Sequence, residues 1–158
     1  MSRHPSPPAT AKPAAFRQRL GLLAVQLIVA QAVYLALGLY LLYTGFTAST
    51  DAPSRTPFTI GAFAFGILGV AASFPAVGIL ARRQPPGSTF PSVAAELQRR
   101  FLIGFAFSEI AALAGLLLFF LFADILTLIL LVGVSCASIA AHYVRTRKIV
   151  EDFERTTR

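Results

Sequence analysis

At 158 residues, 56% hydrophobic and only 13% charged, the chain lies outside the composition of a soluble domain, and it is too short for a membrane domain plus a separate soluble core. Its net charge of +7 gathers beside apolar runs, which points to membrane topology and anionic lipid headgroups and away from nucleic acid. Its one cysteine, Cys136, excludes an intramolecular disulfide and reads as a small packed side chain.

Residues 1–16 include Pro5, Pro7, Pro8 and Pro13 with little that could pack, which predicts a disordered cytoplasmic tail. The first apolar run, Leu20–Tyr43, has 24 residues, too many for the hydrophobic region of a signal peptide, and reads as a retained span. Tyr40 and Tyr43 suit an interfacial belt at its outer end. Gln26 and Gln31 carry amides into hydrocarbon, where they seek a partner on another helix, a ligand or an ion. A short outer loop containing Asp51, Pro53 and Arg55 follows.

The second run, Phe58–Ala81, is rich in small residues. Ala62/Gly66, Gly69/Ser73 and Ala72/Ala76 stand four apart, the spacing that lets helix backbones approach closely, and Pro75 removes one helical hydrogen bond. Arg82, Arg83, Gln84 and Pro85 open a basic, helix-stopping central loop. Val93, Leu97 and Phe101 then recur every four residues, which predicts a short amphipathic turn on the membrane surface.

The stretch from Phe101 to Val144 holds two further runs, Phe101–Ala123 and Ile125–Val144, joined at Asp124, whose carboxylate suits the N-terminus of the fourth helix. Gly104, Ser108 and Ala112 form one small-residue stripe, and Gly133, Ala137 and Ala141 form another. His142 reads as lying near the aqueous boundary, with no chemical role. Residues 146–158 carry opposite charges four apart and the apolar Ile149, Val150 and Phe153, which predicts a short amphipathic helix as the cytoplasmic tail, lying on the membrane or against a partner.

Each of the four runs is long enough to cross a hydrocarbon core of about 30 Å. Thirteen of the fourteen Lys and Arg residues fall in the tails and the central loop, all on one side of a four-pass topology, and only Arg55 falls on the other. The positive-inside rule then makes both termini cytoplasmic. The expected fold is all-α: a polytopic protein of the inner or plasma membrane with four transmembrane helices in two hairpins, spanning residues 17–145.

Glu109, near the middle of the third run, has no Lys or Arg in any span to neutralise it. An acid at that depth costs a few kcal/mol and defaults to a functional reading: it carries a proton, binds a cation, meets a partner subunit, or hydrogen-bonds to Gln26, Gln31 or Ser108. No metal-ligand cluster, phosphate loop or nucleophile–base set accompanies it, so the sequence predicts neither an enzyme nor a cofactor.

Two families share these features. The hairpin from Gly61 to Phe122 resembles subunit c of F-type ATP synthases. Its Arg83-Gln84-Pro85 turn looks like that family's polar loop, and Ile103 to Glu109 followed by Gly115-Leu116 looks like its ion-carrying helix. The resemblance implies a rotor-contacting turn and an ion or proton carrier at Glu109, although Phe65, Phe74 and Pro75 interrupt the expected glycine ladder. Residues 16–145 as a whole resemble ATP synthase protein I, a four-span accessory protein implicated in c-ring assembly. The matching features are Arg17-Gln-Arg19 before the first span, the small-residue second span with its proline, the basic central loop, and Phe105-Ala-Phe107-Ser108-Glu109. Ser108 stands where that family has glycine, and Ala112 where it often has lysine. This resemblance implies docking to c subunits or other membrane subunits, or self-association.

Overall fold

A computed structural model of the chain describes residues 13–48, 55–80 and 89–156. It is all-helical, with α1 Pro13–Tyr43, α2 Arg55–Leu80, α3 Phe90–Phe122 and α4 Ile125–Thr156. All four are long and apolar enough to cross a membrane. Helices follow from the solvent: hydrocarbon offers no partner to a backbone N–H or C=O, so each segment must satisfy its own. Large apolar side chains face outward, among them Leu22, Val29, Leu39, Phe65 and Leu68, each more than half exposed, as a lipid-facing surface requires.

The α3–α4 pair forms the centre, joined by a two-residue connection. Ala123 ends α3 in the left-handed region (φ 52°), its N–H donating to Phe119 O at 2.7 Å. Asp124 then caps α4, accepting from the Thr127 amide at 3.2 Å and the Thr127 hydroxyl at 2.9 Å. The α2 helix packs on α3, whereas α1 packs mainly on α4.

Among the described residues α1 and α2 do not pack on each other, so only one of the two expected hairpins is a packed one. The small residues decide this. A Cβ on Gly66 would meet Ala111 Cα at 3.2 Å and one on Gly69 would meet Ile110 at 3.1 Å, so the close-approach face of α2 is spent on α3. On α1 the equivalent position is Gly38, which abuts Leu128 and Ile125 of α4.

Both long helices outrun the bilayer. At about 1.5 Å per residue α3 and α4 are each roughly 50 Å long, some 20 Å more than hydrocarbon requires. The excess lies at one end, where the start of α1, the start of α3 and the end of α4 share a core of Phe16, Leu20, Val93, Leu97, Phe101 and Val150. Phe90 closes it, with ring centroids 6.1 Å from Phe16 and 5.5 Å from Phe153. Three expectations change here. The residues from Phe90 to Phe101 are the first turns of α3 rather than a separate surface turn, because Val93, Leu97 and Phe101 find apolar partners inside the chain. The 146–158 tail is helical as expected, but through Thr156 it continues α4 and packs within the chain for the same reason. Helix α1 begins at Pro13, inside the tail expected to be disordered, with Phe16 buried. An Arg17–Glu154 ion pair at 3.1 Å ties α1 to α4 at this end, and Arg55–Asp124 at 2.7 Å ties α2 to the α3–α4 connection at the other.

Candidate functional site

Gln31 and Tyr34 stand three apart on α1 and therefore share a face, which meets α3 at the level of Glu109. The Gln31 amide nitrogen donates to Glu109 Oε2, and the Tyr34 hydroxyl donates to Oε1 at 2.5 Å. Both carboxyl oxygens thus have a partner from α1. Gln31 is wholly buried, Glu109 and Tyr34 half-buried, and the Gln31 carbonyl Oε1 is buried with no partner. Cys136 of α4 lies in the same apolar cluster as Tyr34, half-buried.

Gln26 takes no part. Five residues from Gln31, it lies about 140° around the helix and is exposed. Ser108, adjacent to Glu109 in sequence, points about 100° away from it and toward α4. Its hydroxyl bonds the Gly104 carbonyl at 2.8 Å and lies 2.7 Å from the Ser138 hydroxyl. Neighbouring positions on α3 therefore serve different helices, and the expected grouping of Ser108 and Gln26 with Glu109 does not form.

A second polar contact joins α2 to α4. His142 is 2% exposed, enclosed between helices rather than open to water. Ser73 donates its one hydroxyl hydrogen to Val70 O at 2.6 Å, so its oxygen is free to accept from His142 Nε2–H at 2.8 Å. Phe74 stacks on the imidazole with centroids 4.6 Å apart and planes 21° from parallel. The other side of the ring lies against Gly104, where any side chain would collide. Two signals in the sequence could have revealed these roles. Tyr34 follows Gln31 by three residues, and His142 follows Ser138 by four, so each shares a helix face with another polar residue.

Of the proposed packing residues, Gly66, Gly104 and Ala112 are buried and Gly69 half-buried, all inside the chain's own helix contacts. Gly133, Ala137 and Ala141 are exposed, and a Cβ on Gly133 would meet nothing within 4 Å. Among the described residues that stripe packs on no other helix, because α4 buries the opposite side, through Leu128, Leu131, Ser135, Ser138 and His142. Arg82, Arg83, Gln84 and Pro85 lie outside the described residues.

At the far end the Asp124 carboxyl sits below the ordinary carboxylate range. Partial burial pushes it up, but the hydrogen bond from Arg55, those from the Thr127 amide and hydroxyl, and the Arg55 charge outweigh burial. Among the described residues no three His, Cys, Asp or Glu side chains come together as a metal site would require. The polar groups are spread as single interhelical contacts, α1–α3 at Glu109, α3–α4 at Ser108 and α2–α4 at His142, which is suited to holding helices in register. No protein-family model, no curated protein and no solved structure matches the chain.

Proposed function

We propose that the chain is a non-catalytic accessory or assembly factor of a larger membrane complex, docking on other subunits through helix faces. The membrane sector of an F-type ATP synthase, with its c subunits as partners, is the complex its residues resemble. The observation that carries this reading is the Glu109 contact. The acid is taken up by Gln31 and Tyr34 of its own chain, which suits a residue that fixes α1 against α3. The exposed small-residue stripe on α4 is the kind of surface a second helix uses. The basic residues favour both termini in the cytoplasm and residence in the inner or plasma membrane.

Crosslinking and mass spectrometry of native membranes test it. An assembly factor is recovered substoichiometrically with c subunits and tolerates Glu109→Gln. Stoichiometric recovery with another complex makes the chain a structural subunit of that complex instead.

A second reading, a c-like proton or cation carrier, is favoured by the unpartnered Gln31 carbonyl. Beside the carboxyl it offers a further oxygen to an ion. That reading requires pH-dependent carbodiimide labelling of Glu109, protected by the ion, and a detergent-stable ring.

A further inference from the structure

Between α2 and α3, in the half of the bundle nearer Arg55 and Asp124, lies an open groove of about 610 Å³. Phe58, Gly61 and Phe65 form one wall, and Ile110, Leu113 and Leu117 the other. Gly61 adds no side chain to its wall, and a Cβ there would meet nothing within 4 Å. The lining from Pro57 to Phe65 rises about 12 Å along α2, close to the roughly 15 Å depth of one leaflet's hydrocarbon.

From these features we infer that the groove is a binding site for one phospholipid, an acyl chain lying in it and the phosphate meeting Arg55. The ten residues that line it, from Pro57 to Leu118, are all apolar, which suits an acyl chain. Acyl chains gain nothing hydrophobic by leaving lipid for an apolar groove, so selectivity must come from the headgroup.

The charge available to a headgroup is Arg55, which opens α2 two residues before Pro57, the first lining residue, and Asp124 follows the end of α3. The two bridge at 2.7 Å through one Arg55 nitrogen only. Asp124 has its other needs met by Thr127. The Arg55 side chain stays 61% exposed, with the remaining donors of its guanidinium fork available to a phosphate. Among the described residues it is the one Lys or Arg at this end of the bundle.

The test is native mass spectrometry of the full chain released from nanodiscs of phosphatidylcholine doped with phosphatidylglycerol. The inference expects one retained lipid per chain, with phosphatidylglycerol favoured about fivefold, the weight of one basic residue near a phosphate. Filling the groove with Gly61→Leu lowers retention of both lipids at least about tenfold. Leu117→Trp, on the opposite wall at an exposed position, is the second filler if the first does not fold. The two charge variants move in opposite directions: Arg55→Gln abolishes the preference while leaving phosphatidylcholine bound, and Asp124→Asn strengthens it. A purely structural ion pair would respond alike to both. The inference is overturned by lipid retention that ignores both fillers, by a preference that survives Arg55→Gln, or by a dimer or foreign polypeptide that either filler dissociates.

Discussion

Gly104 of α3 lies flat against the imidazole of His142 on α4, where a Cβ would stand 2.8 Å from three ring atoms. The ring has nowhere to retreat, because Phe74 stacks on it and Ser73 holds its Nε2. Gly104→Ala should therefore force the helices apart and cost about 1–3 kcal/mol. In a His142→Ala background the same substitution should be close to neutral, giving a coupling of about 1 kcal/mol or more in a double-mutant cycle. Steric trap or denaturant unfolding in detergent measures both; additive effects would show that the two residues do not touch.

Glu109 predicts a graded series. Glu109→Gln retains an acceptor for one α1 donor and should cost under about 1 kcal/mol, in line with polar contacts between membrane helices. Glu109→Ala strands the donors of both Gln31 and Tyr34, one of them fully buried, and should cost about 2 kcal/mol. Tyr34→Phe combined with Gln31→Leu should recover part of the Glu109→Ala loss by removing the stranded donors. Equal losses in all these variants would sink the bridging role.

The depressed Asp124 carboxyl sets a pH dependence at the opposite end. Its ionised form is favoured in the fold, so its contribution is complete above the unfolded value of about 4. It then disappears as pH falls through the lower folded value. The thermal stability of the wild type should exceed that of Asp124→Asn at pH 6–7, and the difference should close below about pH 4. A difference that widened in acid would show the carboxyl to be destabilised by folding.

Two glycines of like sequence setting should respond in opposite ways. Gly66→Leu must displace the α3 backbone at Ala111 and should cost about 3 kcal/mol. Gly133→Leu meets open space and should stay within about 0.5 kcal/mol in the isolated chain. If Gly133→Leu nevertheless abolishes recovery of a partner from native membranes, the effect belongs to docking and not to folding.

Composition and run length alone determined four membrane-length helices, since hydrocarbon leaves the backbone no other way to satisfy itself and the apolar runs are bounded by charge. Asp124 as a helix cap was legible for a similarly local reason: its partners are its own sequence neighbours at Thr127. Which helix faces which was not legible. In a chain where nearly every side chain is apolar, periodicity no longer separates a packed face from a lipid face. The stripes at Gly104–Ala112 and Gly133–Ala141 therefore read alike, and only packing buried the first and exposed the second. Tertiary structure likewise decided that Glu109 meets Gln31 and Tyr34 rather than Gln26 or Ser108. It also sank His142 among three helices and kept α1 and α2 apart, because these contacts depend on rotations about helix axes that distant residues jointly fix.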